Sequence, residues 1–80
     1  MAIYCDPNNL KRRWKVKNAA DLAEQMRVQD WEMPQAKDVP EFLVRSAGRA
    51  PALGKTVRSD TPEHWLEDII KNGMLEEISD

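Results

Sequence analysis

Three helix starts can be located within this chain of 80 residues, and they constrain its fold more than any other feature. At each start two polar residues stand three positions apart, as in a capping box, where side chains bond the backbone of the first helical turn. Apolar residues follow each pair, and their spacing places their side chains on one face of a helix. The three pairs are Asn18 and Asp21, Asp38 and Glu41, and Asp60 and Glu63.

The last of these helices has the clearest boundaries. Asp60 or Thr61 can cap its start, and Pro62 suits the first turn. Gly73 fits a left-handed stop at its end. The sequence therefore predicts a helix over residues 62–72 whose apolar face carries Trp65, Leu66, Ile69 and Ile70. Residues 74–78 are predicted to continue as a short helical tail, which adds to that face Leu75 and Ile78.

The other two helices are marked mainly at their starts. The first is predicted to begin after Asn18 and to run to residue 28 or 29, because Pro34 cannot continue a helix. The middle helix follows Asp38 and is predicted to end at Gly48.

The N-terminal twenty residues fit two patterns. Asp6 could cap a helix with Leu10 and Trp14 on one face. Residues 10–17 also alternate in part between apolar and basic, so they could pair with residues 3–5 across a turn at 6–9. The sequence favours a mainly α fold, a small bundle of three to four short helices. An α+β fold with an N-terminal β-hairpin is the alternative.

Composition and cysteine content predict one cytoplasmic globular domain. With 41% hydrophobic residues, the chain suits a single small domain spanning 1–80 with a thin core. Cys5 is the only cysteine, so the disulfide framework of small secreted domains is excluded and a reducing compartment is expected. The sequence contains no recognisable signal peptide and no apolar stretch of ~20 residues, so we expect no membrane role.

Patterns that carry catalysis or bind a cofactor are missing from the sequence. One histidine, His64, and one thiol cannot supply the four ligands of a structural zinc site. A nucleophilic pair of Cys5 and His64 has no local support, and neighbouring carboxylates such as Glu76 and Glu77 do not face each other on a helix. We therefore expect no enzyme activity, no metal and no cofactor.

Residues 48–61 form an uncapped stretch with two glycines and a proline. The part up to Thr56 approaches the spacing of a phosphate-binding loop. However, five residues instead of four separate Gly48 from the Gly-Lys-Thr triplet, and no strand precedes it in the predicted order. Connections of this length are often functional or mobile, so the segment is predicted to be a mobile basic loop.

Charge alternates in blocks along the chain, although the net charge is only −2. Residues 1–20 carry +4, residues 21–44 carry −4, residues 45–59 carry +4 and residues 60–80 carry −6. The blocks could neutralise one another as surface pairs, each worth about 0–1 kcal/mol. Alternatively, the two basic blocks could converge on one face.

The function favoured by this pattern is a small protein-interaction module, such as an inhibitor, adaptor or accessory subunit that docks on a larger protein. Tryptophans with charged neighbours are natural anchors if they are exposed, and charge complementarity steers association. The candidate contact residues are Trp14, Trp31, Glu67, Asp68, Glu76 and Glu77. Self-association is a sub-case of this function, because a small apolar helix face can require a second copy to cover it.

Nucleic-acid binding, for example in the regulation of transcription, is the alternative function. It uses the basic segments 11–17 and 45–58 to neutralise phosphates. A helix-turn-helix starting at Asn18 is disfavoured, because an acid and Pro34 stand where the turn and recognition helix belong. The candidate residues are Lys11, Arg12, Arg13, Lys15, Lys17, Arg45, Arg49, Lys55 and Arg58.

Overall fold

A computed structural model describes residues 2–30 and 33–79 of the chain. Within these residues, three helices and a three-stranded antiparallel sheet make an α+β fold. In chain order the elements are β1 (Ala2–Asp6), β2 (Asn9–Val16), α1 (Ala19–Val28), α2 (Val39–Arg49), a 3-10 helix (Ala50–Leu53), α3 (Pro62–Lys71) and β3 (Glu76–Ser79). The mainly α prediction is therefore wrong, and the alternative with an N-terminal hairpin is confirmed.

The hairpin forms at the turn that the sequence marks. The Asp6 carboxylate accepts a hydrogen bond from the Asn8 backbone N–H at 2.8 Å, a local bond that favours a turn. In β2, Trp14 and Val16 are buried and Lys15 between them is exposed. This alternation is that of a strand, so residues 10–16 form a hairpin strand and not a helix. Tyr4 lies opposite Trp14 in the register, which places both rings on the covered face of the sheet.

The predicted starts of α1 and α2 are confirmed in detail. The side chain of Asn18 accepts from the backbone N–H of Asp21 at 2.8 Å, and that of Asp38 accepts from Glu41 at 3.0 Å. The predicted stop of α2 at Gly48 is wrong, because Gly48 lies inside this helix and a 3-10 helix follows directly.

Helical structure thus occupies much of the first half of segment 48–61. The left-handed residue that ends it is Gly54, at φ 72°. The mobility of this segment stays a prediction.

Helix α3 follows the prediction closely, but the segment after it does not. Its chain reverses at Gly73, where the backbone N–H groups of Gly73 and Met74 bond to the carbonyls of Ile70 and Ile69 at 3.0 and 2.8 Å. This is the Schellman pattern, which requires the left-handed φ of 73° that glycine adopts easily. The helical tail predicted for 74–78 is wrong: Glu76–Ser79 forms β3 beside β1.

A single apolar cluster lies between the sheet and the helices. β1 is the central strand, in the order β2-β1-β3, and its covered face meets the three helices. The rings of Phe42 and Trp65 meet edge to face, with centroids 5.9 Å apart. The cluster consists of Tyr4, Trp14, Val16, Leu22, Ala23, Ala36, Phe42, Leu43, Ala50, Val57, Trp65, Ile69 and Leu75.

Candidate protein-interaction surface

The basic side chains of segment 45–58 are engaged within the fold. Arg58 bonds the carboxylates of Asp68 and Glu67 at 2.9 and 3.1 Å. The hydrogen bonds from the Arg58 guanidinium and backbone N–H to Asp68 lower the pKa of that carboxyl to about 2. The other three cations also have internal partners: Arg45 binds Glu41 and the Pro34 carbonyl, Arg49 binds Asp30, and Lys55 binds the Asn72 carbonyl. This basic segment therefore contributes little uncompensated charge to a phosphate-binding face.

The cations of segment 11–17 have a different environment. Arg13 lies opposite Cys5 and Lys15 lies opposite Ile3, so these side chains share the open face of the sheet. Lys11 is exposed two positions earlier, and we call Lys11, Arg13 and Lys15 the basic column. Among the described residues, none of the three forms an ion pair, and the same holds for the exposed cations next to them, Arg12 and Lys17.

Residues of both basic segments line one cleft. Arg12 and Arg49 both line a cleft of about 400 Å³ between the hairpin and the first two helices. Asp6 and Asp30 line the same cleft, so its charges balance. Lys55 and Arg58 line a further cleft with Asp68, and no cation of segment 11–17 lines it.

Trp14 is the tryptophan candidate that lies within the described residues, and it is not available as an exposed anchor. Trp14 is 4% exposed, and its indole N–H donates to the side chain of Gln29 at 3.2 Å. The guanidinium of Arg12 lies 5.2 Å from the centre of the Trp14 ring and covers it from the solvent side. Trp31 lies outside the described residues. Trp14 therefore points into the core.

The four acidic candidates separate into two pairs. Glu67 and Asp68 are bonded to Arg58, as described above. Glu76 and Glu77 are exposed on β3 and form no ion pair within the described part of the chain. Glu77 lies opposite Tyr4 in the strand register, and the Tyr4 pKa is raised, first by burial and second by the negative charge of Glu77. Only Glu76 and Glu77 therefore remain as uncompensated acidic candidates.

The two outer strands differ in how their backbones are covered. Along β2 and just beyond it, side chains of the same chain bond four backbone groups. Two of the bonds are local: the Lys11 N–H donates to Asn9, and Arg13 donates to the Leu10 carbonyl. The other two involve α1: Gln25 donates to the Lys15 carbonyl, and Asp21 accepts from the Lys17 N–H. All four distances lie between 2.9 and 3.2 Å. No side chain in 2–30 or 33–79 bonds the backbone of β3.

A groove runs beside β3. It has a volume of about 390 Å³ and lies between the end of α3 and the strand, lined by Pro7, Ile70, Gly73, Leu75, Glu76 and Glu77. Ile70 is 36% exposed and Ile78 is 41% exposed. Ile78 has no partner in β1, because the register shifts between Ile3 and Tyr4.

Sequence reasoning missed the role of these two isoleucines. It assigned both to the apolar face of one helix, yet only Leu75 of the predicted tail is buried. The sequence already marks Gly73 as the stop of α3, and only the pairing of residues 76–79 with β1 shows that a strand follows it.

Other features of the surface point to no chemistry of their own. Cys5 is buried on the central strand, and His64 bonds Asp60 at 2.9 Å near the start of α3. In the described part of the chain, no three His, Cys, Asp or Glu side chains are grouped to hold a metal ion. No described helix is both long enough and apolar enough to cross a bilayer.

Comparison of the chain with protein-family models, with curated proteins and with solved structures gave no match. The evidence for a function therefore lies in the charges, exposed side chains and grooves of the surface.

Proposed function

We propose that the chain is a small, non-catalytic protein-interaction module that docks on a larger protein through its acidic edge. We define the acidic edge as Glu76, Glu77, Ile70 and Ile78, together with the groove between them. The observation that carries the proposal is the open strand β3, which combines two uncompensated carboxylates with an apolar groove. Since Cys5 is a free buried thiol, a reducing compartment suits the protein, and we propose the cytoplasm.

The composition of this edge matches what a protein interface requires. Binding energy concentrates where an apolar side chain fills a pocket that becomes dry, and polar groups surround that contact. The groove is within the size range of ligand pockets, and Ile70 on its wall is exposed. Glu76 and Glu77 at its rim would attract a cationic partner and orient it before contact.

Charge reversal at the acidic edge is expected to weaken partner binding at least tenfold. The variant is Glu76→Lys with Glu77→Lys, and the matched control is Glu63→Lys with Glu67→Lys. The control makes the same change in net charge on α3, at residues that do not line the groove. Both variants and the wild type are immobilised and exposed to a nuclease-treated native lysate. The retained protein is then purified, and its affinity for each variant is measured.

Loss of binding in the edge variant alone supports the proposal. Equal binding by all three proteins would contradict it, because a partner that ignores the charge of Glu76 and Glu77 docks elsewhere. Circular dichroism of each variant establishes that the fold is retained.

The basic column favours nucleic-acid binding as a second candidate. Lys11, Arg13 and Lys15 stand at alternate positions and lack acidic partners among the described residues, so they are available to phosphates. No exposed aromatic ring accompanies them on the described sheet, so base stacking has no platform there. This candidate therefore depends on phosphate contacts alone.

Duplex binding through the basic column is expected to fall with salt. Three phosphate contacts give a slope of about −2.7 in log affinity against log salt concentration. Arg13→Glu with Lys15→Glu should abolish the binding, whereas Lys37→Glu with Lys71→Glu should preserve most of it. A labelled duplex titrated at two salt concentrations measures both effects. A duplex that does not bind at low salt would eliminate this candidate.

A further inference from the structure

We infer that β3 binds its partner by strand addition: an extended cationic segment of another protein pairs with the outer edge of β3 and becomes the fourth strand of the sheet. This inference rests on the proposed function and specifies the form of the partner. A strand at the edge of a sheet presents N–H and C=O groups that another chain can pair with, and this is a common mode of peptide recognition.

The contrast between the two outer strands is the first support. Three backbone groups of β2 and the N–H of Lys17 just beyond it are already bonded by the side chains of Asn9, Arg13, Gln25 and Asp21, and the last two belong to α1. An incoming strand would have to displace these bonds. No described side chain bonds the backbone of β3, so pairing there displaces none.

The groove beside β3 is the second support, because Glu76 and Glu77 of the strand line it together with Ile70. Glu77 is opposite Tyr4, on the side of the sheet that meets the helices, and Glu76 is opposite Cys5 on the open side. Side chains of an added strand alternate between these two sides. One set would therefore enter the groove beside Ile70, and the other set would lie next to Glu76 on the open face.

Charge identifies the occupant. An added strand that places basic side chains near Glu76 and Glu77 gains opposite-charge pairs across the strands, whereas like charges in these positions repel. A second copy pairing through its own β3 would bring the same two glutamates together. A second copy pairing through β2 would meet a backbone that is already bonded. The occupant that fits is a segment of another protein with alternating basic and apolar residues.

A synthetic seven-residue peptide of alternating lysine and valine tests the inference with the intact chain. The peptide begins and ends with lysine, and two isomeric derivatives carry three backbone N-methyl groups each, one on the three lysines after the first and the other on the three valines. Residues of one set direct their N–H groups to the same edge of a strand, so each isomer loses the donors of one edge only. Affinities are measured at low salt, and amide hydrogen exchange is followed along the protein.

Strand addition predicts that one methylated isomer binds at least tenfold more weakly than the unmodified peptide while the other retains its affinity. It also predicts slower exchange at the amides of residues 76–79 on binding, and loss of binding with Glu76→Lys and Glu77→Lys. Equal affinity of the two isomers would overturn strand addition and indicate docking by side chains alone. Protection that appears along β2, or protection of β3 that rises with protein concentration without peptide, would also overturn it.

These outcomes are separable from the proposed function. If the captured partner requires Glu76 and Glu77 but the isomers bind equally, the docking surface stands and strand addition fails. If capture is indifferent to both glutamates, the proposed function itself fails.

Discussion

Replacing Trp65 by alanine is expected to remove a large share of the protein's free energy of unfolding. Trp65 is 1% exposed, packs edge to face against Phe42 and donates its indole N–H to Ser46 at 3.0 Å. Removing a buried tryptophan side chain costs about 3–5 kcal/mol. The whole free energy of unfolding of a chain this size is only about 4–12 kcal/mol. The variant therefore loses about a quarter of its stability or more, and at the lower end of that range it retains almost none.

Urea denaturation followed by circular dichroism measures this loss. Trp65→Phe is the matched control, because it keeps an aromatic ring against Phe42 and loses the bond to Ser46. That bond is worth about 1 kcal/mol, to which the missing part of the ring adds a smaller cavity cost. A change below about 1 kcal/mol for Trp65→Ala would contradict the burial of this residue at the centre of the core.

The second large effect is expected at Trp14. Alanine there should cost about 3–5 kcal/mol, because the ring is buried between the sheet and the helices. Trp14 also anchors β2 to the segment after α1 through its bond to Gln29. Both losses act on the fold, so the affinity of the molecules that remain folded should not change.

This expectation separates a core role for Trp14 from a role as a binding anchor. Trp14→Phe keeps most of the buried area and is expected to bind the partner as the wild type does. Stability is measured by thermal unfolding, and affinity is measured at a temperature at which the variant is folded. If Trp14→Phe were folded but bound tenfold more weakly, the ring would contact the partner directly and the core interpretation would be wrong.

The features that sequence predicted well are local ones. Asn18 and Asp38 bond to backbone groups three residues away, so their effect on helix starts can be read without knowing the rest of the fold. Gly73 is similarly local, since a left-handed residue stops a helix wherever it occurs. These signals located all three helices to within one or two residues.

The features that sequence did not predict depend on distant partners. β3 has four residues without apolar alternation, and it becomes a strand because β1, more than seventy positions earlier, offers an edge to it. The environment of Arg58 is equally hidden, because its pairing with Asp68 requires the chain to reverse between them. The sequence showed alternating charge blocks, and only the fold shows which block is neutralised internally and which remains available.

The position of β1 at the centre of the sheet has a consequence for synthesis. β1 is flanked on one side by β2, which follows immediately in the chain, and on the other by β3, which is produced after all three helices. A two-stranded hairpin alone is only marginally stable in water. The nascent chain therefore carries β1 with one side unpaired until residues 76–79 emerge, and during that interval the exposed strand is open to pairing with other chains. The last pairing to form is also the one that ends this exposure.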